Sequence, residues 1–167
     1  MTHTTIVASF RLAVPADVPA LAALYADTAR ALGAWCYTPA QVAAWSSFGA
    51  DTPAFSDYVL GARTWVAETG GGDELGAGPL GFCGVDVGGH VPSLYVRASH
   101  SRRGLGTALL AHAMADARRR GVRHFSAWAT PFSEPVFLRA GFVVMERTWS
   151  EFEGVRFQRC HLATPTG

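Results

Sequence analysis

Leu94-Tyr95-Val96-Arg97-Ala98-Ser99-His100-Ser101-Arg102-Arg103-Gly104-Leu105-Gly106-Thr107 is the stretch on which the fold turns. It begins as an apolar strand, passes through a polar turn and runs into a helix whose first residues include two glycines. The first turn of a helix carries amide hydrogens without partners inside the helix, and the helix dipole adds about half a positive charge there. Glycine at 104 and 106 lets an oxygen approach that backbone without a Cβ in the way. Arg102 and Arg103 add cations, the Thr107 hydroxyl adds a donor, and Leu105 lies within the same segment, while Leu109, Ala113, Met114 and Ala117 make the helix's buried stripe. The stretch therefore predicts an anion cradle suited to a diphosphate. A tight strand-to-helix turn without a ligand fits the same residues.

Two familiar phosphate loops are excluded. A dinucleotide-binding fingerprint needs a third glycine three residues after Gly106, where Leu109 stands. A Walker A loop needs a lysine, and all fourteen cations of this chain are arginine. The missing lysine also removes Schiff-base chemistry. A formal net charge of +1 gives no broad basic field, so no nucleic-acid partner is expected, and the run Arg118, Arg119, Arg120 reads as a solvated helix end. Cys36, Cys83 and Cys160 are odd in number, far apart and without a C-x-x-C pair, which predicts neither a disulfide frame nor a metal site. With no signal-like start and no run of about 18 apolar residues, no membrane association and a cytoplasmic location are expected.

Working outward, the chain of 167 residues, 49% hydrophobic and 16% charged, reads as one domain over 1–167. Phe10, Leu12 and Val14 alternate as a first strand. Asp17 is placed to cap a helix carrying Leu21, Leu24, Tyr25, Thr28 and Leu32 on one face, and Thr38-Pro39 starts a second. A short helical piece spans 55–60 and a strand 64–69, followed by a glycine-rich connector over 70–79. Strands over 80–87 and 90–96 flank Gly88-Gly89, a two-residue hairpin signal. A helix over 105–120 closes at Gly121, and a strand over 122–130 and a short helix over 135–140 follow. The last pair of strands turns at Glu153-Gly154. The order predicts a mixed α/β sheet. The ionisable residues on or beside its central strands are Glu68, Asp86, His90 and Tyr95.

The Leu-Tyr-Val strand, the turn, R-R-G-L-G-T-A-L-L and, some thirty residues later, F-L-R-A-G-F together resemble the GNAT superfamily of acyl-CoA-dependent N-acyltransferases. Tyr37-Thr38-Pro39-Ala40-Gln41 followed by Trp45, with the closing hairpin, is similar to a small bacterial YafP-like branch. The resemblance implies a six- or seven-stranded mixed sheet in which the strand ending at Val96 splays from the strand over 122–130. Acetyl-CoA would lie in that notch as acyl donor, its pantetheine arm along Tyr95, Val96 and Arg97 and its pyrophosphate on residues 102–107. Ser133, Pro135 and Phe137 would follow the thiol end. Trp35, Tyr37 and Trp45 would wall a small-molecule or peptide amine acceptor, and a homodimer stays open. Three positions depart from the family pattern. Ser101 stands for the usual Gln or Arg, Phe137 for a frequent tyrosine acid, and Pro92-Ser93 for a frequent strand carboxylate. Transfer to an amine by direct attack is the expectation, and a catalytically silent acyl-CoA sensor is the rival.

Overall fold

In the computed structural model, which describes residues 8–50, 52–69 and 78–166, the chain starts with strand β1 (Ala8–Leu12). Except for Gly78 and Pro79, the connector expected over 70–79 lies outside the described residues. Val14, read as the third apolar position of the first strand, is 48% exposed, because the chain has already turned into a 3-10 segment at Pro15–Asp17. That turn feeds helix α1 (Val18–Gly33). Asp17 does not cap α1 with its side chain. Its carboxylate takes the Val14 amide at 2.7 Å and the Arg11 guanidinium at 2.8 Å, and these partners hold it below the usual carboxylate range.

Helix α2 (Pro39–Ser47) begins as its sequence predicts. Thr38 Oγ1 accepts from Gln41 N–H at 3.2 Å while the Gln41 side chain accepts from Thr38 N–H at 2.9 Å, a reciprocal capping box. Helix α3 (Thr52–Leu60) leads into β2 (Arg63–Thr69) and β3 (Gly81–Val85). The turn after β3 differs from the two-residue expectation. Gly89 N–H bonds Asp86 C=O, Asp86 N–H bonds His90 C=O, and Gly89 sits at φ +87°, the three-residue loop with a glycine bulge. Only glycine serves there, since a Cβ would lie 2.0 Å from the His124 carbonyl oxygen.

The strand expected over 90–96 is cut at Pro92 into β4 (His90–Val91) and β5 (Ser93–Val96). Beyond it come α4 (Leu105–Arg119), β6 (Ser126–Ala129), α5 (Glu134–Arg139), β7 (Val143–Phe152) and β8 (Val155–Ala163). The strand expected from 122 starts at 126 because the Val122 and Gly121 amides are spent on the Ala117 and Arg118 carbonyls, a Schellman end to α4. The β7–β8 hairpin turns at Glu153-Gly154, φ +51° and +72°, as two left-handed positions require.

Two four-stranded sheets result, ordered β1-β2-β3-β5 and β4-β6-β8-β7. β4 pairs in parallel with β6 through His90–Ser126 and Val91–Ala127, while β5 pairs antiparallel with β3 alone. The central strand thus changes sheets at Pro92. If β4 and β5 are counted as one broken strand, the seven-stranded splayed sheet implied by the resemblance is present. One apolar cluster gathers α4, α5 and the inner faces of β3 and β6, including Leu109, Leu110, Cys83, Ala127 and Phe137. The other gathers α1 and α3 on the opposite face of β2 and β3, with Tyr25, Phe55, Val66 and Phe82. At the far end of α4, buried Asp116 meets Arg63 at 2.9 Å, Arg120 at 3.2 Å and Arg119 at 3.4 Å. Burial raises the pKa of this carboxyl, but the arginines outweigh burial and keep it below its ordinary value.

Candidate functional site

The helix start read as a cradle is open. Gly104 is the residue before α4, left-handed at φ +82°, and Arg102 precedes it at φ +60°. Among the described residues no protein acceptor meets the amides of residues 102–107, and the first helical bond runs from Ala108 N–H to Gly104 C=O at 3.0 Å. A Cβ on Gly104 would meet nothing within 4 Å, so its backbone faces free space and glycine is needed for the backbone angle. Gly106 plays a different part. A Cβ there would sit 3.5 Å from Val96 Cγ2, an ordinary contact, so position 106 lies against the end of β5 without requiring glycine for space. Arg102 and Arg103 are exposed, without ion pairs among the described residues, and Thr107 is exposed beside them. Unpaired amides, two loose cations and free space fit a diphosphate.

From the cradle a seam runs along β5. Arg97 is committed elsewhere: its N–H donates to Leu80 C=O at 2.7 Å, its carbonyl accepts from His100 N–H at 2.8 Å, and its guanidinium donates to Pro79 C=O. Antiparallel alternation then turns the main chain of Tyr95 toward β3 and that of Leu94 and Val96 toward the gap beside β6. The Val96 carbonyl takes the Thr28 hydroxyl at 3.3 Å, which leaves the Val96 N–H facing the gap. Ser93, at the frequent carboxylate position, is 2% exposed, and its Oγ accepts from Gly84 N–H at 2.9 Å.

The seam ends in a cavity of about 360 Å³ walled by Tyr25, Tyr37, Trp45, Tyr58, Pro92, Tyr95, Trp128, Thr130, Phe157 and Arg159 among others. Its rings brace one another. Tyr95 stacks on Phe82 at 5.3 Å and meets Tyr25 at 4.7 Å, Tyr37 packs edge-on against Trp45 and Phe157 at 5.6 Å, and the Tyr58 hydroxyl donates to Pro92 C=O at 2.8 Å. Burial pushes the phenols of Tyr25, Tyr37, Tyr58 and Tyr95 up, so all four keep their protons at neutral pH and can donate them. Among the described residues no Asp, Glu or His lines the wall.

Of the four ionisable candidates, then, Tyr95 alone lines the chamber. Glu68 holds Arg11 at 2.6 Å on the β1–β2 pair. Asp86 is a turn carboxylate that accepts from Gly88 and His90 amides at 2.8 and 2.9 Å. His90 meets Ser126 Oγ at 3.0 Å, and burial lowers its pKa. Tyr37 and Trp45 stand in the wall, whereas Trp35 is 83% exposed and outside it. Ser133 Oγ accepts from the amide of Thr130, a wall residue, at 3.1 Å and so shapes the rim. Pro135 is exposed in the first turn of α5, and Phe137, 2% exposed, packs on Phe142 at 5.1 Å as core.

The sequence reading missed Tyr58, Trp128, Phe157 and Arg159 as wall residues, and took Tyr25 only as a buried helix face. One signal was available: Phe157 and Arg159 alternate with buried Cys160 and Leu162 along β8, which sets them on the opposite face.

Comparison with known proteins agrees with this geometry. The family described as acetyltransferase (GNAT) domain matches residues 36–163. Mycothiol acetyltransferase of Cellulomonas flavigena is 35% identical over 97 residues, 54% of this chain, and the chain spans 27% of the length of that relative. A GCN5-related N-acetyltransferase from Rhodopseudomonas palustris superposes with a TM-score of 0.86 at 24% identity, covering 99% of both chains. The PaiA N-acetyltransferase of Thermoplasma acidophilum, solved in complex with coenzyme A, gives 0.73 at 13% identity over 95% of this chain and 99% of its own. These last two are likenesses of fold. With the family matched over most of its length, the chain belongs to the GNAT acetyltransferases.

Proposed function

We propose that this protein transfers an acetyl or short acyl group from acyl-CoA to an amine by direct attack within a ternary complex. The observation that carries the reading is the continuity of the site. An open amide cradle at the start of α4 abuts β5 at Val96, the seam beside β5 is unpaired, and it ends in an aromatic chamber. The diphosphate would rest on the amides of residues 102–107, and the Val96 N–H would donate to the thioester carbonyl as charge grows on its oxygen. The amine nitrogen bonds to the carbonyl carbon, the carbon–sulfur bond breaks, and the proton released from nitrogen ends on the departing sulfur. With the Tyr58 hydroxyl committed to the Pro92 carbonyl, the phenol of Tyr95 is the first donor within the wall for that sulfur. With no carboxylate or imidazole in the wall among the described residues, the amine would enter neutral or pass its proton to water. Alignment alone supplies up to about 7–11 kcal/mol, so a missing base is compatible with turnover. Free cysteines at 36, 83 and 160 suit a reducing, cytoplasmic setting.

The rival reading is an acyl-CoA sensor without turnover, favoured by Phe137, buried core at the frequent tyrosine position. An amine panel with acetyl-CoA separates the two. Amine-dependent release of free CoA is expected; tight acetyl-CoA binding with no release for any amine would select the sensor.

A further inference from the structure

Arg159 is a cation without a counterion among the described residues. It stands half-buried on β8, in the wall of the chamber, with its guanidinium 4.8 Å above the ring of Trp128 on the neighbouring strand. Among the described residues it has no ion pair; the phenols of Tyr95, Tyr37 and Tyr58 bear on it electrostatically, and it in turn bears on His90. Of the other half-buried arginines, Arg11 has Asp17 and Glu68, and the guanidinium of Arg97 donates to the Pro79 carbonyl, whereas the head of Arg159 has neither kind of partner among the described residues. A charge taken partly out of water and left unpaired is costly, and a face of tryptophan attracts a cation without neutralising it. The wall around Arg159 offers aromatic rings, hydroxyls and the Gln158 amide, and no acid.

Such a chamber is ill-suited to polycationic amines, which need carboxylates around them, and suited to an acceptor that brings one negative charge of its own. A planar guanidinium takes a carboxylate through two parallel hydrogen bonds. The rings of Tyr25, Tyr37, Trp45 and Phe157 offer apolar contact to the rest of a small acceptor, and about 360 Å³ is at the small end of ligand pockets. We infer that the acceptor carries a carboxylate near the amine to be acylated, as an apolar or aromatic amino acid does, and that Arg159 is the residue that holds it. This rests on the transfer reading above and narrows it to a substrate class.

The test uses the full chain, acetyl-CoA and three matched pairs of acceptors that differ only in the carboxylate: phenylalanine and phenylethylamine, tyrosine and tyramine, tryptophan and tryptamine. With each rate corrected for the neutral-amine fraction, kcat/KM is expected to be about 10- to 150-fold higher for the acid of at least one pair, the span of a hydrogen bond to a charged group. Arg159→Gln should bring that ratio close to one, mainly through KM, and Arg159→Lys should restore part of it. A wild-type ratio near one in every pair, or a ratio that survives Arg159→Gln, overturns the inference. The wild-type ratio decides alone if a variant fails to fold. Calorimetry of the matching N-acetyl amino acids on the CoA-loaded protein keeps the two readings apart. Arg159-dependent binding with no transfer to any amine keeps the carboxylate site and removes the transferase. Transfer at equal rates within every pair keeps the transferase and removes the carboxylate site.

Discussion

The two ends of the site are made of different material. The cradle is main chain, six consecutive residues held open by left-handed angles at Arg102 and Gly104. The chamber is side chain, with Tyr25 from α1, Trp45 from α2, Tyr58 from α3, Tyr95 from β5, Trp128 from β6 and Arg159 from β8. A site built from backbone is harmed where the backbone itself is changed. A site built from interlocked rings is harmed by anything that loosens the packing behind it. The binding of the donor and the choice of acceptor are therefore separable in this fold.

The hardest blow to that separation is Tyr25→Ala. Tyr25 is 5% exposed and meets the rings of Trp45, Phe48, Phe55, Tyr58 and Tyr95 at 4.7–6.5 Å. Removing so large a buried ring is expected to lower stability by about 3–5 kcal/mol in denaturant unfolding. Acceptor kcat/KM should collapse, while the acetyl-CoA dissociation constant changes less, by about tenfold at most, since the diphosphate end is held by main chain away from Tyr25. Equal loss at both ends would break the contrast.

Next in size is Gly104→Glu. It forces a side chain into the left-handed region and sets a carboxylate where the diphosphate should rest, with free space around it so that the fold survives. Affinity for acetyl-CoA measured by calorimetry should fall about 100-fold or more, with the melting curve still cooperative. An unchanged affinity would refute the cradle.

The smallest effect expected is in the pH profile. Burial lowers the pKa of His90 from 6.5, so the ring is neutral above that pH and charges only as pH falls through the lower folded value. The stability cost of charging it therefore appears only on the acid side. Through neutral pH, log kcat/KM should rise with unit slope and level at the pKa of the acceptor amine, moving when the amine is changed. A break near or below 6.5 that stays fixed while amines are exchanged would put His90 in the proton path instead.

These contrasts also explain what could be read in advance. The cradle was legible because its determinants are contiguous: glycine, arginine and a helix start within a few residues, each acting on its own backbone. The Thr38–Gln41 capping box and the Glu153-Gly154 turn were legible for the same reason. The chamber was not, because Tyr58 and Arg159 come to one wall only after α3 and β8 have been brought to one end of the seam, and the alternation along β8 gives the face of Arg159 but not what that face meets. The break in the central strand shows a middle case. Pro92 was visible as a residue without an amide hydrogen, yet only the paired neighbours, β3 on one side and β6 on the other, show that the strand passes from one sheet to the other there.

That proline has a thermodynamic consequence for whatever enters. A cleft between two ordinary strands would tend to zip shut, and a ligand would have to compete with ladder bonds already made. At Pro92 the missing N–H, with its carbonyl occupied by Tyr58, removes one ladder position at the point where the two strands part. Admission of the thioester should then leave the sheet's own bonding intact, so the opening is a permanent part of the resting protein and not a deformation that the guest must drive.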